Sequence, residues 1–478
     1  MFFWEFALSE LLSTINNYLY TYILVALLVG VGIFLTIHLR FVQIVHFKDL
    51  FKSLVKSRQN ANGGISSFQA FAVGIGTRIG IGNIAGVALA LVLGGPGAIF
   101  WMWIVALVGM ATAFAESTLA QIFKVPSYDR TYRGGPAYYI KLGLNSKLFA
   151  VLFALITVVS TGIAVPMVQV NTLAATLNSN HAVPLWITGV IAAVILAPVI
   201  IAGVRGVAKV SEYVGPIMAL AYVIIAVVVI VTNIEATANA FVQIFEGAFG
   251  LREGLAGVGG GIFATILNGT RRGLFSNEAG LGTAPNAAGT ATVAHPASQG
   301  FAQAFGVFID TIIVCTITAL LILIAGNQIY TPGKTSVEEA GSLTSQAVIH
   351  LLGSGMSIPM SVIIFVFGIS SAIGAYSYGQ VSLDILTNNK VISLGYRVLV
   401  VICCAVAAVQ PLTLVWSLAD VLLGLGGIIN LVALLLLAKW VSGTLRDYNS
   451  QVKHGKEPVF IGRDNPFLPK DLPTKVWE

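Results

Sequence analysis

The sequence predicts an all-α polytopic membrane protein, and three observations carry that prediction. Hydrophobic residues fill 56% of the 478 positions and charged residues only 10%, against about 25% charged in an average soluble chain. The apolar positions gather into runs of roughly 20 residues, the length a helix needs to cross a bilayer. Lysine and arginine crowd the loops of one side, the usual signature of a fixed orientation in a lipid bilayer.

Eleven spans are expected, near 20–39, 66–94, 97–123, 148–177, 184–203, 209–233, 257–290, 299–326, 357–385, 393–410 and 414–438. No Lys or Arg precedes Arg40, so the N-terminal stretch lacks the basic region of a cleavable signal. Residues 1–65 then supply one helix and a basic loop, and 66–235 and 236–440 supply five spans each. Residues 441–478 form a tail, whose polar part from Arg446 onward is rich in Lys, Asp and Pro and reads as loosely ordered. Phe241–Gly250 and Ser342–Leu352 have helical apolar spacing and read as surface-lying segments.

With the N-terminus outside, 21 of the 26 Lys and Arg residues fall on the inner side, two (Arg252, Lys334) fall outside, and Arg78, Arg271 and Arg272 lie within spans. This distribution accounts for the net charge of +6, so no nucleic-acid partner is implied. The setting is a plasma (inner) membrane with the C-terminus cytoplasmic. Cys315, Cys403 and Cys404 all lie in apolar runs, with neither a disulfide framework nor metal-ligand spacing.

The most informative stretch is Gly74-Ile-Gly-Thr-Arg-Ile-Gly-Ile-Gly-Asn-Ile-Ala-Gly86. Five glycines in thirteen residues make a poor continuous helix, each costing about 1 kcal/mol relative to Ala. Glycines alone could serve close helix packing, but packing does not account for Arg78 and Asn83 in the same run. A broken helix does, with freed backbone groups held at mid-depth around a solute. A second interruption is expected in Asn268–Gly282, which holds Arg271, Arg272, Asn277, Glu278 and four glycines. Charges are costly there unless they face a protein-lined or wet interior; alternatively, part of the stretch is an inner loop. The spans holding the two breaks are five apart, so the two halves run in opposite senses. Breaks in matching positions of inverted halves point to a secondary transporter's midplane site.

Several stretches carry a resemblance. Gly80-Ile-Gly-Asn-Ile-Ala-Gly86, Gly94-Gly-Pro-Gly-Ala-Ile-Phe-Trp-Met-Trp103, Gly134-Gly-Pro136, Phe275–Gly282 and Phe305-Gly-Val-Phe-Ile-Asp-Thr311 resemble the signatures of the alanine/glycine:cation symporter family, over about residues 20–440. The resemblance implies a five-plus-five inverted repeat of the leucine-transporter type with one extra N-terminal helix. It also implies Na⁺ as coupling ion and a small neutral amino acid as substrate. Alternatives are proton-coupled symport and, less favoured, a passive channel.

Site residues follow from chemistry and from that resemblance. Half-helix N-termini offer N–H groups to a carboxylate, a role that falls to Ile81 and Gly82, with Asn83 beside them. Gln169 and Asn277 are polar side chains in apolar surroundings, at positions the family uses around its substrate; an interhelical amide bridge is the other reading. Carbonyl and hydroxyl oxygens suit Na⁺, a hard cation. The resemblance gives that ion Gly76, Ile79, Ser370 and Ser371. Asp310 is read as a gating or structural partner of Arg78, Arg271 or Arg272, with coupling to the ion as the other role. Glu116 and Glu278 are further candidates for arginine pairs. His295 reads as a loop residue, and Trp101 and Trp103 as interfacial anchors.

Two positions depart from the common family pattern. Ile81 stands where many members carry Thr, and Ala375 where many carry Trp. The missing indole enlarges the expected pocket, so glutamine joins alanine and glycine as an expected substrate, with serine a further one. An enzyme is not expected. The fit of Gly80–Ala85 to a dinucleotide fingerprint lacks a preceding strand, and neither a Walker A motif nor an H-E-x-x-H set is present.

Overall fold

The computed structural model describes residues 2–55, 64–127, 131–250 and 261–478. Lys56, Arg58, Arg130 and Arg252, counted above for orientation, lie outside them. The chain opens with α1 (Phe2–Tyr18), which continues through a π-turn at Leu19–Leu24 into α2 (Val25–His38). The first half follows as α3 (Ser67–Arg78), α4 (Val87–Gly94), α5 (Ala98–Ile122), α6 (Lys147–Val159), α7 (Val165–His181), α8 (Leu185–Ile201) and α9 (Val204–Thr232). The second half is α10 (Ile234–Ala248), α11 (Gly261–Asn277), α12 (Pro296–Val307), α13 (Thr316–Ala325), α14 (Ala340–Leu352), α15 (Ser357–Leu386), α16 (Lys390–Ala407) and α17 (Leu412–Lys453).

Helix runs through most of each expected span, except that in 257–290 the described helix is Gly261–Asn277, followed by a short turn at Pro285–Ala288. Among the described residues, eight helices are long and apolar enough to cross a membrane, or up to nine when α3 and α4 count as one bent span. α8 is apolar but shorter, and α11 carries Arg271 and Arg272. Lipid-facing positions remain apolar, as Val194, Ile217, Leu220 and Val231 show by their exposure. Polar side chains turn inward instead, which is the arrangement hydrocarbon requires.

Two short strand pairings tie the loops at one end of the bundle. Ile65–Ser66 pairs in parallel with Ala291–Thr292, so the segment entering α3 is joined to the one leaving the second break. Ser66 then caps α3 in a reciprocal box: its hydroxyl accepts from the Gln69 N–H and its own N–H donates to Gln69 Oε1. Val125–Pro126 pairs antiparallel with Tyr132–Arg133.

Three expectations change on contact with the structure. The tail is ordered: α17 runs to Lys453, and Phe460 and Trp477 are buried. Segment 342–352 does not lie on the surface. It belongs to α14, whose Leu343, Thr344 and Ala347 are buried and whose Thr344 hydroxyl donates to the Ile84 carbonyl at 3.4 Å. Trp101 and Trp103 bridge helices, donating to the Ala248 carbonyl (3.4 Å) and to Thr316 Oγ1 (2.7 Å). His295 does sit between helices, but as a cap. Its Nδ1 accepts from the Ala297 N–H and its Nε2 lies 3.1 Å from Asp447. Burial holds that imidazole below its ordinary value, with Asp447 acting in the opposite direction.

Candidate substrate and ion site

The first break is where the glycines put it. α3 ends at Arg78, and Ile79 leaves helical geometry at φ −74°, ψ 81°. The chain resumes as a π-turn over Gly82–Gly86 and then α4, bent by 47° from α3. Gly80 is required here by close approach: a Cβ would stand 2.6 Å from Ser371 and 3.1 Å from Gln169 Oε1. Gly80→Ala is therefore expected to displace both partners and to lower stability by about 1–3 kcal/mol, read as an earlier thermal unfolding in detergent.

The second break begins at Glu278, at the end of α11. Glu278, Gly280 and Gly282 have φ of 59°, 85° and 75°, left-handed values that only glycine adopts without strain. The Gly280 carbonyl is held by the Asn430 amide at 3.0 Å, and the Glu278 carboxylate by the Thr283 hydroxyl at 2.9 Å. The interruption expected in Asn268–Gly282 thus starts only at Glu278. The arginines are helical, and the interruption follows them.

Arg78 joins the two breaks. Its Nε donates to the Asn277 carbonyl at 3.0 Å and its Nη1 to Gln303 Oε1 at 2.9 Å. A narrow cavity lies between the breaks, lined by Thr77, Arg78, Gly82, Thr161, Gln169, Phe275, Glu278 and Ala375. Its walls include π-turns at Gly82–Gly86 and Ser160–Ala164, irregularities that concentrate at functional sites.

The ion candidates are gathered, with one substitution. The Ser370 hydroxyl donates to the Gly76 carbonyl at 3.3 Å, and the Ser371 hydroxyl to the Thr77 carbonyl at 2.6 Å. The second carbonyl facing the serines is thus that of Thr77, two residues before Ile79. Two hydroxyl–carbonyl pairs thus join α15 to the end of α3, and oxygens of this kind suit a hard cation.

The substrate candidates divide. Gly82 and Gln169 line the cavity, but the Ile81 N–H is already bonded to Gln169 Oε1 at 3.0 Å. Asn277 turns its Oδ1 onto the Ala279 N–H, capping the break locally. Asn83 points elsewhere, donating to Asp310 Oδ1 at 2.6 Å.

Asp310 corrects the expectation of an arginine pair. It is fully buried on a π-helical stretch, Phe308–Cys315. Its carboxylate is held by Asn83 and by the hydroxyls of Ser276 and Thr311, each of the latter at 2.7 Å. Among the described residues no Lys or Arg forms an ion pair with it, nor with Glu116 or Glu278. Arg271 and Arg272 instead converge on Asp420 of α17, at 3.4 and 2.7 Å. Arg272 stacks on Trp416, which itself lies 4.8 Å from the cavity-lining Phe275 ring. Sequence reasoning missed Asp420 and Gln303. A pair of intramembrane arginines was the available signal for a buried carboxylate elsewhere.

With this geometry in view, the chain can be compared with known proteins. The sequence profile of the Sodium:alanine symporter family matches residues 5–462. The chain belongs to that family. Among relatives, it is 39% identical to the amino-acid carrier protein AlsT of Bacillus subtilis, over 98% of both chains. It is 39% identical to the sodium/alanine symporter AgcS of Methanococcus maripaludis, over 92% of this chain and 97% of that one. A probable sodium/glutamine symporter of Bacillus subtilis, GlnT, is also 39% identical, over 95% and 93%. Among solved structures, MhsT in complex with L-phenylalanine superposes with a TM-score of 0.57 at 12% identity, covering 78% of this chain and 88% of that one. The chain therefore shares the leucine-transporter type of fold with that structure.

Proposed function

We propose that the chain carries a small neutral amino acid across the membrane together with Na⁺, by alternating access around the two breaks. The observation that carries this reading is the meeting of Ser370 and Ser371 with the Gly76 and Thr77 carbonyls beside a cavity that both broken helices line. Na⁺ would take the place of the two hydroxyl protons between these oxygens, bound by the Gly76 and Thr77 carbonyl oxygens and by the serine hydroxyl oxygens, and so draw α15 onto the end of α3. The amino acid would lie against Gly82, with Gln169 exchanging its bond to Ile81 for one to the ligand. Asp310 would act on the cation electrostatically, since only neutral donors surround it. Residues 66–235 and 236–440 would be the inverted halves, with the N-terminus outside. Relatives named for alanine and for glutamine bracket the expected side chains.

The experiment is a reciprocal titration in detergent. Alanine affinity measured at rising Na⁺, and Na⁺ affinity at rising alanine, must change by the same factor, about 5–150-fold. Ser371→Ala is expected to raise the Na⁺ requirement about tenfold while alanine affinity at saturating Na⁺ is kept. Alanine binding indifferent to Na⁺ would overturn the coupling.

A further inference from the structure

The last twenty residues do not trail from the bundle; they are fastened to the segments that lead into and out of the two breaks. Phe460 donates its N–H to the Ala294 carbonyl at 2.9 Å, and Gly462 donates to the Trp477 carbonyl at 2.7 Å. The tail thereby folds back on itself and brings Trp477 under the end of α5. There the Trp477 indole N–H donates to the Gln121 carbonyl at 3.0 Å, and its ring packs edge-on against Phe460 with 5.3 Å between centroids. The ring is 7% exposed.

What Trp477 touches decides what it can do. Lys124, itself 2% exposed, places its ammonium 4.5 Å from the Trp477 centroid and 4.2 Å from that of Tyr132. The same ammonium donates to the Ala291 carbonyl at 2.9 Å and to Gln121 Oε1 at 2.7 Å. The Gln121 amide in turn donates to the carbonyls of Ala288 and Ala291. Ala291 is the strand partner of Ile65, one residue before the cap of α3. One continuous set of contacts therefore runs from the tail, through Gln121 and Lys124, to the strand pair that joins both broken helices. A second aromatic face adds to the hold on a cation already set against one.

We propose that residues 459–477 are a latch that holds this face of the carrier shut, with Trp477 as its bolt. Opening toward the tail's side requires segments 65–67 and 285–294 to part, and the latch resists that parting while it is docked. Releasing it raises the population of the open state. The inference rests on the reading of the breaks as the moving site, and on nothing about which solute is carried.

The test is thiol labelling of Thr283→Cys, a cavity-lining position at the second break, in full-length protein in membrane vesicles of both orientations. An impermeant maleimide reports opening without any transport measurement, so it reads the latch even if sodium coupling fails. Loss of the indole contacts is expected to accelerate labelling from the tail's side about fivefold in Trp477→Ala, and at least as much when 458–478 are deleted. Trp477→Phe, which keeps an aromatic face over Lys124, should fall between. Labelling unchanged in all three, from either side, would overturn the proposal. So would equal acceleration from both sides, which marks general loosening.

Discussion

Asn83→Leu is expected to abolish sodium-driven amino acid uptake while the protein still inserts and purifies as the parent does. Leucine matches asparagine in size but offers no donor. The Asp310 carboxylate, fully buried, would lose its 2.6 Å contact and keep only two hydroxyls. Leaving a buried charged group short of a partner costs about 3 kcal/mol, which corresponds to a loss of about a hundredfold. The same substitution removes the Asn83 Oδ1 that accepts from the Gly80 N–H at 3.3 Å, so the break itself loses a brace. Uptake into liposomes under a sodium gradient measures the effect. Undiminished transport would remove Asn83 from the mechanism.

Asp420→Ala is expected to have the largest effect on stability. Arg271 and Arg272 share this one carboxylate, and Asn16 of α1 reaches the same oxygen at 3.4 Å. Without it, two guanidinium groups are left inside the protein with only aromatic faces, Tyr20 at 4.7 Å and Trp416 at 5.2 Å. Breaking a buried ion pair from one side costs about 3–5 kcal/mol. Thermal unfolding in detergent should show a clear drop. Asp420→Asn, which keeps an acceptor, should lose less. An unchanged unfolding temperature for Asp420→Ala would mean that water already solvates the cluster.

The sequence disclosed the breaks more readily than their surroundings, and the reason is physical. Glycine density and stranded charges mark a failed helix locally, so Gly74–Gly86 and Asn268–Gly282 could be read without knowing what lies beside them. The pairing of side chains is set by contacts between residues far apart in the chain. Asp310 illustrates this: a centred carboxylate invites an arginine, yet neutral donors from α11, from the first break and from its own π-turn hold it. Arg78, the natural candidate for its partner, goes to Asn277 and Gln303. Ser370 and Ser371 are assigned by resemblance, and their contacts with the Gly76 and Thr77 carbonyls link α15 to α3. The tail misled by composition. Its Lys, Asp and Pro suggest loose chain, whereas two aromatics, Phe460 and Trp477, decide its position. Aromatic residues in an otherwise polar terminus were the signal that it docks.

The most direct measurement is uptake of radiolabelled alanine into liposomes, with Na⁺ replaced by choline at constant pH. If α3, the first break and the α15 serines hold Na⁺ beside the substrate, uptake collapses in choline, and restoring Na⁺ recovers it along a saturating curve. Uptake that continues undiminished in choline, or that follows an imposed pH gradient instead, contradicts the account.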